Sequence, residues 1–263
     1  MTTRSQLPPA GIHNTDDYGS GITFNTAGVL NYVEVKSQIE QLGPLYASYS
    51  ITLENTAGLS LSLSSCTSVS DPCSFIANIV TDAQGNTYYT GDQTINKVDP
   101  AGNVLVLAGA AGVTGSADGQ GASARFDQPW GIAIDVVGNL YVTDSNNNTI
   151  RRITPVGAVT TLAGTAGEIG STDGTGSAAK FNYPTGIVID TTGNLYVADT
   201  WNNEIRKITP GSVVSTIVGR VNRMGFISGT LPGALSHPVG LALFGRTLYT
   251  TTNNAVVQIS DVP

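Results

Sequence analysis

The sequence has few of the residues that build charged surfaces or metal sites. Only 12% of its 263 residues are charged, and it holds two histidines, two cysteines, two methionines and two tryptophans. The net charge is −7, whereas a protein that binds nucleic acid or an anionic membrane needs a basic face. The composition therefore predicts no nucleic-acid partner and no membrane insertion.

Long apolar runs are also missing. No run approaches the roughly 20 residues that a membrane-spanning helix needs. The first 21 residues hold one arginine and no hydrophobic segment, so they do not have the pattern of a signal peptide. Two interpretations stay open: the protein is made and used without classical secretion, or a leader has been removed.

The two cysteines, Cys66 and Cys73, flank a short loop in SSCTSVSDPCSF. The Asp-Pro pair in this loop favours a turn that brings its ends together, so a disulfide is sterically reasonable. Such a bond would fit an oxidising location or a particle released from cells, and free thiols are the alternative. A zinc site is not expected, because the spacing is not CxxC and no histidine is near.

Glycine is abundant, at 31 residues, and the chain repeats itself. The stretch GNLYVTDSNNNTIRRITP begins at Gly138, and GNLYVADTWNNEIRKITP begins 55 residues later at Gly193, with thirteen of eighteen positions identical. Repeats of this length are typical of solenoids and propellers. The similarity divides the chain into a divergent region and four repeats, the last partial: residues 1–74, 75–125, 126–180, 181–236 and 237–263.

Each repeat contains four short apolar runs bounded by turn residues. In residues 126–180 they are GIAID, NLYVTD, TIRRI and VTTLAG. Runs of this length, rich in Ile, Val, Leu, Tyr and Thr, indicate strands, and no helical period is present. Four antiparallel strands joined by tight turns form a meander, and meanders repeated around a ring are the blades of a β-propeller. The fold class predicted is therefore all-β, a β-propeller of four-stranded antiparallel blades.

The pattern GIAID..GNLYVTD..NNTIRRITP.G.VTTLAG...G..DG.G..A.F..P.GI resembles the NHL-repeat family of β-propellers over roughly residues 75–260. The resemblance implies a propeller. It does not imply one activity, because similar propellers serve as protein-binding, RNA-binding, ligand-sensing and occasionally enzymatic scaffolds.

The number of blades depends on residues 1–74. Residues 21–35 and 45–65 each have the pattern of a hairpin, so together they supply one divergent blade. Five blades are favoured, with the outer strand of the last blade coming from the N-terminal arm. Six blades, or a separate docking adaptor in residues 1–74, are the alternatives.

Several repeated residues have predicted structural roles. Gly131, Gly186 and Gly240 begin the first strand, where a missing side chain allows close approach at the crowded centre. The Asp-x-x-Gly-Asn patterns that start at Asp82, Asp135 and Asp190 indicate the first hairpin turn. Phe126 and Phe181 are predicted to pack between blades, with His237 in the equivalent place of the last repeat.

Acidic residues of the repeats are also assigned to structure. Asp118 and Asp173 are predicted to form turns. The Asp144-x-Asn146-x-Asn148 pattern lacks the bidentate Glu and neighbouring acids of a calcium loop, so no metal is predicted. Arg151 and Arg206 are predicted to pair with Asp144 and Asp199 across blades.

Strand polarity predicts one face rich in loops, because the loop between strands two and three lies on the same side as the link to the next blade. This face is predicted to bind partners, since aromatic rings among amides suit protein or glycan contact. The alternative is that the tryptophans cover blade ends and the asparagines form turns. The candidate partner-binding residues are Trp130, Trp201, Asn146, Asn147, Asn202 and Asn203.

No catalytic motif or cofactor motif is evident. The Gly-rich links do not end in Gly-Lys-Ser/Thr, no GxSxG is present, and the two histidines, His13 and His237, lie in no ligand cluster. We therefore predict a non-catalytic interaction or assembly module without a cofactor. It is expected outside cells or on a virion, binding protein or glycan partners or copies of itself. The alternative is a propeller enzyme or small-ligand binder that uses the central channel.

Overall fold

A computed structural model describes residues 22–24, 30–36, 50–54, 60–65, 78–221, 233–252, 255–260 and 262. Cys66 and Cys73 lie outside these residues, so the disulfide stays a prediction. The N-terminal arm that was expected to close the last blade, residues 1–21, lies outside them as well.

The described strands pair antiparallel in five sheets. The first sheet contains β1 (Ile22–Phe24), β2 (Leu30–Lys36), β3 (Ser50–Glu54) and β4 (Ser60–Ser65). The second contains β5 (Ile79–Thr81), β6 (Thr87–Gly91), β7 (Thr94–Val98) and β8 (Val104–Gly109). The third contains β9 (Gly119–Gln120), β10 (Pro129–Ile134), β11 (Leu140–Asp144), β12 (Thr149–Ile153) and β13 (Ala158–Ala163).

The fourth sheet contains β14 (Gly174–Thr175), β15 (Pro184–Ile189), β16 (Leu195–Asp199), β17 (Glu204–Ile208) and β18 (Val213–Gly219). The fifth contains β19 (Leu241–Phe244), β20 (Thr247–Thr251) and β21 (Val256–Ile259). Three short 3-10 helices lie in the connections, at Gly121–Ser123, Gly176–Ala178 and Thr200–Asn202.

The first meander strands of the sheets contact one another around a ring. β10 lies against β5 and β15, β15 lies against β19, and β1 lies against both β19 and β5. This arrangement of antiparallel sheets confirms the all-β propeller. Four sheets hold complete four-strand meanders, and three strands of the fifth are described. The count of five blades stays a prediction.

The links between blades contribute a strand that the sequence analysis did not predict. Residues 119–120, which precede their own blade, form β9 and pair with its outer strand β13. One repeat later β14 pairs with β18 in the same way. Each link therefore covers the outer edge of the blade that follows it, which protects an otherwise open strand edge.

The close approach predicted at the first strand is present. A β-carbon on Gly131 would overlap the carbonyl oxygen of Thr185 in the next blade, and one on Gly186 would overlap that of Val239. At Gly240 the nearest atom would be the side-chain oxygen of Thr251, at 3.0 Å. Glycine at Gly131 and Gly186 is therefore required by backbone contact between blades.

Replacing Gly131 with alanine is expected to lower the free energy of unfolding by about 1–3 kcal/mol, because the added methyl group must push two blades apart. Urea unfolding followed by circular dichroism measures the change. Gly211→Ala is the matched control, since its nearest neighbour would be 3.8 Å away. Equal stabilities of the two variants would contradict this account of the centre.

Phe126 and Phe181 are fully buried and pack into the clusters between neighbouring blades, as predicted. The equivalent place in the last repeat is taken by Leu235, which is buried in the third cluster. The assignment of His237 to this place was wrong by two positions. His237 precedes Pro238 and has φ 46°, so it matches Gln128 and Tyr183, which also precede prolines at φ 54°.

Candidate interaction face

The loops between the second and third meander strands are held against the links. After β11, the backbone amides of Ser145 and Asn146 donate to the carbonyl oxygens of Gln128 and Asp127, at 3.2 Å and 3.1 Å. After β16, the amide of Trp201 donates to the carbonyl oxygen of Asn182 at 3.1 Å. Loop and link therefore form one surface, the loop-rich face, as strand polarity indicated.

Three of the candidate asparagines are committed to this internal framework. Asn147 Nδ2 donates to the Gly115 carbonyl oxygen at 2.7 Å, and Asn202 Nδ2 donates to that of Gly170 at 2.7 Å. Asn203 Oδ1 accepts the His237 amide at 2.9 Å. All three side chains are buried and position the loops in this structure, and partner binding stays a prediction for them.

A buried ion pair lies beneath the loop of the 126–180 repeat. Arg151 Nη1 contacts Asp144 Oδ2 at 2.6 Å, and both side chains are inaccessible to solvent. Arg151 Nη2 also contacts Asp118 Oδ1 at 2.8 Å and donates to the Ala117 carbonyl oxygen at 3.0 Å. The arginine therefore ties its own blade to the preceding link.

The next repeat has the same arrangement. Arg206 contacts Asp199 Oδ2 and Asp173 Oδ1, each at 2.8 Å. The predicted pairs are thus correct in their members, but Asp144 and Arg151 lie on neighbouring strands of one blade, so pairing across blades was wrong. Asp118 and Asp173 do more than form turns, because each also accepts a backbone amide and a hydroxyl from the outer strand.

Burial is the largest cause of the raised pKa values of Asp144 and Asp199. Desolvation raises the pKa of Asp144 to about 6, although the Asp127 amide, Asn147 and Arg151 all stabilise its charged form. The pKa of Asp199 is raised to about 6 for the same reason. Within the described residues no group of three or more His, Cys, Asp or Glu side chains could hold a metal ion. Asp144 and Asp199 each pair with an arginine of their own blade.

Trp201 and Tyr183 form the most prominent aromatic feature of the loop-rich face. Trp201 lies on the 3-10 helix Thr200–Asn202 and is 57% exposed. Its ring stacks on Tyr183 with centroids 4.7 Å apart and planes 16° apart. The Tyr183 hydroxyl donates to Gln128 Oε1 across the blade boundary at 2.7 Å. Tyr183 and Gln128 were not among the candidates.

The remaining candidates differ in exposure. Asn146 is exposed, and its Nδ2 donates to Asp127 Oδ1 at 3.1 Å. Trp130 is half-buried, and its carbonyl oxygen accepts the Thr90 hydroxyl of the preceding blade at 2.7 Å. Of the six candidate residues, Trp201 and Asn146 are therefore the exposed ones, and partner binding stays a prediction for them.

These repeated blades define a β-propeller whose loops gather on one face. The family model "NHL repeat" matches residues 126–153 and 181–208, which are the first three strands of two successive blades. Two successive blades of this β-propeller therefore carry NHL repeats.

The chain is also similar to curated proteins, one of which is named for its NHL repeats. The chain is 30% identical over 149 residues to Protein SUPPRESSOR OF QUENCHING 1, chloroplastic, of Arabidopsis thaliana, covering 52% of this chain and 14% of that protein. It is 29% identical over 177 residues to NHL repeat-containing protein 2 of Bos taurus, covering 61% of this chain and 24% of the relative. The chain thus spans less than a quarter of the length of these relatives.

Solved structures support the fold. An auxiliary nutrient binding protein of Bacteroides ovatus matches with a TM-score of 0.63 and 20% identity, over 91% of this chain and 59% of its own. A virginiamycin B lyase of Staphylococcus aureus matches with a TM-score of 0.51 and 18% identity, over 94% and 71%. Similarity at this level shows a shared fold, and the fold occurs in both binding proteins and enzymes.

In the part of the chain that the structure describes, we find no helix with the length and apolar character needed to cross a bilayer.

Proposed function

We propose that this propeller is a non-catalytic interaction module that presents its loop-rich face to a protein or glycan partner. The observation that carries the proposal is the stacked pair of Trp201 and Tyr183. The matching positions of the preceding repeat are Asn146 and Gln128, so this repeat departs from its sister by gaining two aromatic rings. Exposed aromatic side chains are enriched at binding surfaces.

The residues at the centre of the ring favour a role as a scaffold rather than as an enzyme that uses the central channel. The first strands β5, β10, β15 and β19 contain no acidic residue and no histidine. Their neighbours approach as backbone at Gly131 and Gly186. The Thr143 hydroxyl donates to the carbonyl oxygen of Thr185 in the first strand of the next blade, at 2.6 Å. The Thr200 hydroxyl donates to the carbonyl oxygen of Pro238, which precedes β19, at 2.8 Å. Polar groups there join blades to one another.

Display on a virion or outside cells remains part of the proposal. The chain is rich in Thr, Ser and Asn and poor in charge, which suits a surface component of a larger assembly. In such an assembly one face meets a partner or another copy while the other stays exposed.

Hydroxyl-radical footprinting of the protein, isolated and in its native assembly, tests the proposal. We expect Trp201 to be oxidised in the isolated protein and protected in the assembly. Phe244, which is 79% exposed in the hairpin between β19 and β20, lies on the opposite face and is the internal control. Protection of Phe244 with unchanged oxidation of Trp201 would show that the wrong face was chosen.

A further inference from the structure

The loop-rich face carries a strip of side chains across the boundary between two blades. Trp201 stacks on Tyr183, and the Tyr183 hydroxyl donates to Gln128. Asn146 Nδ2 donates to Asp127, which precedes Gln128 in the chain. Gln128 and Asn146 come from the 126–180 repeat and the two rings from the next. We call these four residues, Trp201, Tyr183, Gln128 and Asn146, the aromatic strip.

Hydrogen bonds hold the backbone of two residues of the aromatic strip, Tyr183 and Gln128. Tyr183 is held at φ 54° by its amide, which donates to Asn148 Oδ1 at 2.8 Å. Gln128 has the same φ and accepts the Ser145 amide through its carbonyl oxygen. A non-glycine residue in this region of φ is uncommon and persists only where its surroundings hold it. The backbones of Tyr183 and Gln128 are therefore held by hydrogen bonds within the protein.

The aromatic strip also keeps polar atoms without partners among the described residues. The indole N–H of Trp201 and the amide nitrogen of Gln128 are donors with no hydrogen bond, and Asn146 Oδ1 is an acceptor with none. Each lies on an exposed residue. A ligand that both donates and accepts hydrogen bonds would satisfy all three.

We propose that the aromatic strip is a binding site for a neutral saccharide. A sugar ring has a C–H face that packs on the electron-rich face of an aromatic ring, and its hydroxyls both donate and accept. An arginine or lysine side chain fits less well, because it only donates and the strip offers two unpartnered donors against one acceptor. This inference rests on the proposed function and names the chemical class of its partner.

The sister repeat supplies variants that the fold already accepts. Trp201→Asn and Tyr183→Gln reproduce the residues at the matching positions, Asn146 and Gln128, so the loop and link can hold them. Trp201→Phe keeps an aromatic face but loses the indole donor. Phe244→Ala removes an exposed ring from the opposite face and is the matched control.

The test is a glycan array of neutral hexose and N-acetylhexosamine oligosaccharides, followed by calorimetric titration with the saccharide retained best. We expect the wild type and Phe244→Ala to bind alike. Loss of one central aromatic anchor typically costs about tenfold or more in affinity, which we expect for Trp201→Asn and Tyr183→Gln, with Trp201→Phe between.

Three results would overturn the proposal: no saccharide retained above the level of Trp201→Asn, equal affinity in Trp201→Asn and the wild type, or binding of an arginine-rich peptide in place of every saccharide. If the array fails while Trp201 is still protected in the native assembly, the face is an interface and its partner is a protein. If both fail, the proposed function fails with the inference.

Discussion

Replacing Arg151 with methionine is expected to lower the free energy of unfolding by about 3–5 kcal/mol, the usual cost of breaking a buried ion pair from one side. The Asp144 carboxyl group would lose its 2.6 Å contact and stay buried without a cation beside it. Asp118 and the Ala117 carbonyl oxygen would lose a donor, and the Phe126 ring would lose the guanidinium that lies 5.0 Å from its centroid.

Chemical denaturation at neutral pH measures this loss. Arg152→Met is the matched control, because Arg152 is the next residue of the same strand and is exposed. Asp118→Asn should cost much less than Arg151→Met, since the Asp118 side chain is 47% accessible and solvent can replace the pair. Similar losses for Arg151→Met and Arg152→Met would show that the buried pair does not hold the link to the blade.

The ion pair is not a requirement for forming a blade. In the blade of β5 to β8, Gly91 and Asn96 stand at the positions of Asp144 and Arg151. The β5 to β8 blade is nevertheless a complete four-strand meander. The pair instead fixes the link, because Arg151 also contacts Asp118 and the carbonyl oxygens of Ala117 and Arg125. We infer that Arg151 and Arg206 each connect their own blade to the link before it.

The strands, turns and central glycines could be predicted because they rest on local patterns. The Asp135 carboxylate accepts the Asn139 amide and side-chain N–H, and the same turn recurs at Asp82 and Asp190. Such turns are encoded within five residues. A pattern repeated three times, with apolar runs between the copies, leaves few alternatives to a meander.

Contacts distant in sequence were harder to predict. The pairing of Arg151 with Asp118 spans 33 residues, and only its recurrence one repeat later at Arg206 and Asp173 could have indicated it. Tyr183 was not predicted as a candidate for a similar reason, because its place on the face depends on contacts with Trp201 and Gln128. His237 was misplaced by two positions, and the proline that follows Gln128, Tyr183 and His237 gives the correct register.

One buried residue, Glu204, differs in type from the residues at the same position of the other repeats. Glu204 begins β17 at the position held by Thr149 in the preceding blade and Thr94 in the one before, and it is 5% exposed. Its Oε2 has no hydrogen-bond partner among the described residues, and the nearest cation is Arg206 Nη1 at 3.9 Å. Burial, with the nearby Asp199 charge as a further cause, raises the pKa of Glu204 to about 7.

The raised pKa of Glu204 sets the direction of a pH effect. An exposed glutamate in the unfolded chain titrates near 4.3, so between about pH 4.5 and 7 the folded protein holds a proton that the unfolded chain has lost. Stability from this group is therefore present at low pH and is lost as pH rises through 7. A pKa difference of one between the folded and unfolded states corresponds to about 1.4 kcal/mol, which gives a loss of the order of 3 kcal/mol before relaxation of the site.

Glu204→Thr is consequently expected to stabilise the protein at pH 8 by about 1–3 kcal/mol and to have little effect at pH 4.5, where the wild-type carboxyl is already neutral. Denaturation of both proteins across pH 4.5–8 measures the difference, and Thr149→Ser in the sister blade controls for hydroxyl packing. Asp144 lies in the neighbouring blade, so its slope cancels in the comparison. Asp199 is electrostatically coupled to Glu204, so its contribution does not cancel completely. Loss of stability at pH 8 in Glu204→Thr would contradict this prediction. It would mean that the Glu204 carboxylate is favourably paired and stabilises the folded protein.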